Sequence, residues 1–147
     1  KEKINRKTKV ILPVHLYGSA ADLTGIKKLI KKKKIFLIDD CAQAHGSLDD
    51  SMIIKKKKKI GSTTDISCFS LYPGKNLGAY GDAGIITTNN KVFYDRMKKI
   101  RNLGSDKKFK HDYIGLNSRL DTIQALILNR KIKNLSFLNK KRIPTYV

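Results

Sequence analysis

The chain is short of cysteine, of acidic side chains and of long apolar runs, and each shortage excludes a class of protein. Its two cysteines, Cys41 and Cys68, have no metal-ligand spacing and are too few for a disulfide framework. They point to a reducing, cytoplasmic setting. No stretch approaches the ~18 consecutive apolar residues of a membrane span. The opening "KEKINRKTKVILPVHLYG" has basic residues but no long apolar segment or small-residue cleavage site, so a signal peptide is not expected. Gly-x-Ser-x-Gly is absent, which disfavours a serine hydrolase. His15, His45 and His111 are dispersed, and no zinc spacing emerges.

The shortage of acid leaves twelve Asp and Glu against 32 Lys and Arg, a formal charge of +20. Such a charge raises the question of a polyanionic partner. Of the basic residues 26 are lysine and six arginine, and the runs at 31–34 and 55–59 flank apolar segments where solvated loops are expected. Base reading and phosphate forking favour arginine, and no aromatic-interleaved basic stripe is present. A lysine-rich solvated surface is the simpler account. A basic nucleic-acid-binding α/β domain stays as an alternative.

What is present is a chain of 147 residues, 40% apolar, enough for one domain with a core. It does not begin with methionine and ends on "KKRIPTYV" without a clear stop, so a fragment of a longer protein is expected. "KVILPVHLYG" (9–18) reads as a buried strand and its exit loop. "SAADLTGIKKLIKKKK" reads as a helix, with Leu23, Ile26, Leu29 and Ile30 at helical spacing. "IFLID" (35–39) reads as a parallel strand buried on both faces, and residues 47–64 as a hairpin or loop excursion. "DISCFSLY" and "AGIITTN" read as strands. Asn90 is placed to cap the next helix and Gly104 to stop it. Residues 105–118 read as irregular. Residues 119–142 read as one long amphipathic helix with Leu120, Ile123, Leu126, Ile127, Ile132 and Leu135 on one side. The order strand, helix, strand, strand, strand, helix, helix is α/β.

Ligand sites in such sheets gather at the carboxyl ends of the strands. Three polar clusters fall there: Tyr17 with Gly18, "DDCAQAHG" (39–46) and "SLYPGKNLG" (70–78). If their strands are neighbours, the clusters converge. Asp40 follows an apolar run and is either a strand-end cap for backbone N–H groups or a carboxylate kept ionised to pair with a cation. Asp39 alternates to the other face. Lys75 stands alone in a turn rich in glycine. It is either a solvent-facing turn lysine or an amine held partly desolvated as a nucleophile. Ser70 is either a local strand-end bond or a phosphate contact. The glycines of "GKNLGAYGDAG" match neither a Walker A nor a dinucleotide fingerprint.

Four segments, "PVHLYGSAADL", "LIDDCAQAHGS", "GSTTDISCFSLYPGKNLGAYGDAGIITTN" and "IRNLGSDKKFKHDYIGLNSRLDTIQALIL", resemble the DegT/DnrJ/EryC1/StrS sugar aminotransferases in order and spacing. The resemblance implies the three-layer, mostly parallel sheet of the fold type I (aspartate-aminotransferase-like) large domain, with pyridoxal 5′-phosphate (PLP) as cofactor. It implies that Lys75 holds PLP as an internal aldimine, that Asp40 pairs with the pyridine nitrogen and that Gln43 packs near the ring hydroxyl. It further implies that Ser70 contacts the phosphate and that Asn117 reaches the phosphate of a neighbouring subunit's cofactor. Arg119 shares that motif without an assigned role. Some relatives carry histidine in place of the lysine and are dehydratases, so Lys75 argues for transamination.

"YPGKNLGAYGDAG" and "CAQAHG" look most like the branch that aminates C3 of a nucleotide-linked 3-keto-6-deoxyhexose, with C4 amination still open. The implied partners are a nucleotide-sugar, glutamate as amino donor and a second copy sharing the active site. Ser19–Ala20 departs from the family's commoner glutamine–proline, and Ala83 from a frequent glycine. The chain is expected to be a partial large domain (1–147) without the family's N-terminal segment or C-terminal small domain. A truncated, inactive remnant of the family is the remaining alternative.

Overall fold

A computed structural model describes residues 3–49 and 58–142. The chain order is β1 (Val10–Ile11), α1 (Leu23–Ile30), β2 (Phe36–Asp40), β3 (Leu48–Asp49), β4 (Lys58–Lys59), β5 (Ile66–Ser70), β6 (Gly84–Thr87), α2 (Lys91–Ile100), β7 (Ser105–Lys107), β8 (Lys110–His111), α3 (Thr122–Lys131) and α4 (Leu135–Arg142). Strands β1, β2, β5 and β6 form one sheet in that order. The first three run parallel and β6 antiparallel, with Asp40 opposite Cys68 and Ser70 opposite Gly84. Leu37 and Asp39 of β2 are buried, while Ile38 and Asp40 are half-buried and Phe36 is exposed. The strand is therefore covered fully on one face only, not on both as expected.

The covered face packs on α1. Leu23 and Leu37 join Cys41, Ala44 and Ile60 in one core, with Ile26, Ile30 and Phe69 against them. Leu29, expected on the same stripe, is exposed. Asp22 caps α1 by accepting from the Gly25 N–H at 2.8 Å. On the other face, Phe36 meets Phe93 of α2 edge-on at 5.5 Å. Helices on both faces of a mostly parallel sheet are the α/β arrangement expected.

The first strand is shorter than its apolar run. Pro13 has no N–H to give to a ladder, so pairing breaks after Ile11. It resumes as a single bridge from Val14 to Asp40, with the Pro13 carbonyl accepting from the Asp40 N–H at 2.9 Å. Asn90 caps α2 as expected, accepting from the Val92 and Phe93 N–H groups. Gly104 closes its exit at φ +78°, where a Cβ would collide with the Tyr113 carbonyl. Residues 105–111 are not irregular but form the short antiparallel pair β7–β8. Lys99 of α2 fastens it through Asp106 at 3.2 Å and Asp112 at 2.6 Å. The excursion after β2 is a hairpin at its base, Leu48 opposite Lys59 and Asp49 opposite Lys58. Its tip, which carries part of the 55–59 lysine run, lies outside the described residues, as does 143–147.

The expected long helix is two helices joined by a 3-10 turn, Ile132–Asn134. Its buried side also differs. Ile123, Leu126 and Ile132 are exposed, and the buried position is Leu128. Leucine and isoleucine occur around more than one side of this segment, so apolar spacing does not select a face. The docked face runs Gln124, Leu128, Lys131, Leu135, and it meets the 71–79 loop. Leu128 packs with Leu71, Leu77 and Ala79. Gln124 accepts from the Tyr80 N–H at 2.8 Å, and Lys131 donates to the Gly78 carbonyl at 2.7 Å.

Candidate active site

The three polar clusters converge because β1, β2 and β5 are successive parallel neighbours, so their carboxyl ends share one edge. Two side chains tie the clusters together. Gln43 Oε1 accepts from the Tyr17 N–H at 2.8 Å. Asn76 Nδ2 donates to the His45 carbonyl at 3.0 Å. The third cluster is a closed loop. The Lys75 N–H donates to the Tyr72 carbonyl at 2.9 Å, and the Ala79 N–H to the Leu71 carbonyl at 2.8 Å. Gly78 allows this closure, since a Cβ there would meet the Pro73 carbonyl. Lys75 is half-buried at the head of the loop, and its amine has no ion pair among the described residues.

Adjacent aspartates at the end of β2 take opposite assignments. Asp39 is fully buried; its Oδ2 accepts from His15 Nε2 at 3.1 Å and its Oδ1 from the Thr64 hydroxyl at 2.7 Å. His15 Nδ1 accepts from the Ala21 N–H at 3.1 Å, which fixes the ring proton on Nε2. Cys41 completes a buried trio whose ligand-type atoms lie within 4.8 Å of one another. Both ring nitrogens and both carboxylate oxygens are already committed, so this cluster fastens the β1 exit loop to β2. Burial, and then the charge of Asp39, pushes the Cys41 thiol far up, which makes it inert. Asp40 turns to the other face. Its Oδ1 accepts from the Ala42 N–H at 2.9 Å, a local cap that leaves the second oxygen without a hydrogen bond among the described residues.

Two cavities sit at this edge. One, of about 340 Å³, is lined by Asp40, Cys68 and Ser70 among others. The other, of about 560 Å³, is lined by Lys75, Gln43, His45, Asn76, Asn139 and Arg142 among others. Ala42 belongs to the first and Gln43 to the second, so the expected residues divide between adjoining spaces. The Ser70 hydroxyl accepts a long bond, 3.4 Å, from the Tyr72 N–H. Asn117 lines neither cavity. It is exposed and forms a bridge with Asn102 beside the end of α2, where Arg119 also bonds Asn102 Oδ1 at 2.7 Å.

Sequence reasoning missed three residues of this edge. His45 is 3% exposed, and neither ring nitrogen meets a partner at hydrogen-bond geometry. Burial lowers its pKa, opposed by Asn76 and the Ser70 backbone, while the Lys75 charge acts in the same direction as burial. Asn139 and Arg142 come from α4, some 60 residues after Lys75. Asn139 Nδ2 donates to the His45 carbonyl at 2.8 Å and its Oδ1 accepts from Asn76 at 3.1 Å. Only the polar positions at helical spacing behind Leu128 hinted that this face docks on the lysine loop.

Residues 1–146 match the model of the DegT/DnrJ/EryC1/StrS aminotransferase family. The chain belongs to that family. It is 46% identical over 141 residues to the dTDP-3-amino-3,6-dideoxy-alpha-D-galactopyranose transaminase of Aneurinibacillus thermoaerophilus, covering 96% of this chain and 37% of that protein. It is 42% identical over 139 residues to the UDP-N-acetyl-3-dehydro-alpha-D-glucosamine 3-aminotransferase of Acidithiobacillus ferrooxidans, covering 95% and 36%. Among solved structures, Streptomyces venezuelae DesV in complex with a ketimine intermediate superposes with a TM-score of 0.84 at 37% identity, over 92% of this chain and 35% of that one. Bacillus subtilis NtdA with bound cofactor PMP superposes at 0.76 and 34% identity, over 92% and 30%.

The chain thus spans little more than a third of the length of the curated relatives it matches. The fold is the α/β fold type I arrangement of these aminotransferases. Among the described residues no helix is long and apolar enough to cross a membrane.

Proposed function

We propose that residues 1–147 form part of the cofactor-binding large domain of a PLP-dependent aminotransferase acting on a nucleotide-linked keto-deoxysugar, with glutamate as amino donor. The observation that carries this reading is Lys75: a half-buried residue whose amine has no ion pair among the described residues, at the edge where the parallel strands end. The donor set at that edge fits PLP. An amine, a carboxylate with one oxygen left over, a strand-end hydroxyl and a glutamine are what an aldehyde, a pyridine nitrogen, a phosphate and a ring hydroxyl require.

Lys75 would hold the cofactor covalently, Asp40 its pyridine nitrogen, Gln43 the side near its ring hydroxyl and Ser70 its phosphate. Asn117, exposed away from both cavities, would serve the phosphate site of a second subunit. When bound, PLP supplies an electron sink for the bonds at the amino-bearing carbon. This chain's own residues manage the protons. Asp40 would hold the proton on the pyridine nitrogen. Lys75 Nζ would carry the proton that leaves the substrate carbon, a role that requires a neutral amine. The closed 71–79 loop, docked on α3, holds the Lys75 backbone in place.

The dTDP-sugar relative at 46% identity supports a dTDP-linked substrate and amination at C3. The UDP-sugar relative carries the same 3-amino designation on another nucleotide. To test the assignment, the protein is incubated with PLP, reduced with borohydride and digested. Mass spectrometry is expected to place the pyridoxyl group on Lys75 and to lose it in Lys75→Ala. Labelling elsewhere, or labelling unchanged by that substitution, would refute the reading.

A further inference from the structure

We propose that the cavity around Lys75 is a subsite for an anionic group of the substrate, and that Arg142 is the residue that reads it. The proposal rests on the aminotransferase reading above and extends it to substrate recognition. Two of the described residues lining this cavity, Lys75 and Arg142, are cations, and none is a carboxylate. Two positive charges in a recess without a counter-charge concentrate anions there. Arg142 forms no ion pair or hydrogen bond among the described residues, whereas surface lysines such as Lys91 and Lys99 recruit the scarce aspartates.

Arg142 is the last residue of α4 and is exposed, and the turn before it is anchored. Asn139, three residues earlier and so on the same side of α4, is locked to the His45 carbonyl and to Asn76. That lock docks α4 onto the strand-end edge and brings Arg142 to the rim of the cavity. Once Lys75 is committed to the cofactor, Arg142 is the remaining cation of this lining. A planar guanidinium offers paired donors that suit a carboxylate or a phosphate. Aminotransferase chemistry brings both: the carboxylate of an amino-acid donor and the diphosphate of a nucleotide-sugar.

The test titrates L-glutamate and dTDP by calorimetry into the PLP-loaded protein, Arg142→Gln and Arg142→Lys. Arg142→Gln is expected to weaken one of the two ligands on the order of ten- to a hundredfold, the range for a hydrogen bond to a charged group. Arg142→Lys restores part of the loss, because charge returns without the fork. A loss confined to glutamate assigns the subsite to the carboxylate, and one confined to dTDP assigns it to the diphosphate. Unchanged affinity for both ligands overturns the proposal, including when thermal stability falls, since Arg142 is then only a cation at a helix C-terminus. The borohydride label on Lys75 is read in parallel. Its absence would refute the aminotransferase reading, and the same titrations run without PLP would then decide the anion subsite.

Discussion

Replacing His15 with alanine should be among the most damaging single substitutions to stability in this chain, although His15 makes no contact with the proposed chemistry. The side chain is fully buried. Its Nε2–H satisfies Asp39 Oδ2 at 3.1 Å, and its Nδ1 satisfies the Ala21 N–H at 3.1 Å. Alanine would leave Asp39, itself fully buried, with the Thr64 hydroxyl as its remaining side-chain partner. His15→Ala removes a hydrogen bond to a buried carboxylate, worth about 1.5–3 kcal/mol, and leaves the Ala21 N–H unpaired, at about 1–3 kcal/mol more. Thr64→Val, which takes away a neutral hydroxyl at 2.7 Å, should cost only about 1–3 kcal/mol.

Urea unfolding gives both numbers, provided the m-value is unchanged. The pair term comes from a double-mutant cycle of His15→Ala with Asp39→Asn, in which the second substitution should cost less once the first is made. A loss below about 1 kcal/mol for His15→Ala, or strictly additive costs, would show that the trio does not fasten the β1 exit loop.

Two further outcomes follow from the same geometry. Lys131→Ala should lower stability by about 1.5–3 kcal/mol through its charged bond to the Gly78 carbonyl. Hydrogen exchange should localise the loosening to the 71–79 loop, and unchanged protection there would refute the docking of α3 on the lysine loop. His45 has a folded pKa below its ordinary 6.5, so the unfolded chain binds more protons there than the folded one. Its contribution is fully favourable above the unfolded value and is lost as pH falls through about 6.5 toward the lower folded pKa. Stability profiles of the protein and His45→Gln should therefore converge as pH falls through that window. Parallel profiles would refute the burial cause.

The chemistry-bearing stretches were legible because they are local. Lys75 is marked by its isolation among Pro73, Gly74 and Gly78, Asn90 by its place before a helix, and the two aspartates by strand alternation. The helix packing was not legible. In α3, Ile123, Leu126, Ile127 and Leu128 sit around the helix rather than along one stripe, and polar Gln124 and Lys131 do the docking. Their partners are backbone groups of a loop some 45–55 residues earlier, for which no spacing rule exists. The same holds for Asn139 and Arg142, invisible as site residues until α4 lies against His45.

By itself, then, the sequence determined the α/β class, the family and the candidate site residues, because periodicity, turn residues and motif spacing act over short chain distances. Only the tertiary structure decided two things. The expected site residues divide between two adjoining cavities, and a cation from α4 lines the same cavity as Lys75. These depend on which strands become neighbours and which helix face meets them, and those contacts form between residues far apart in the chain.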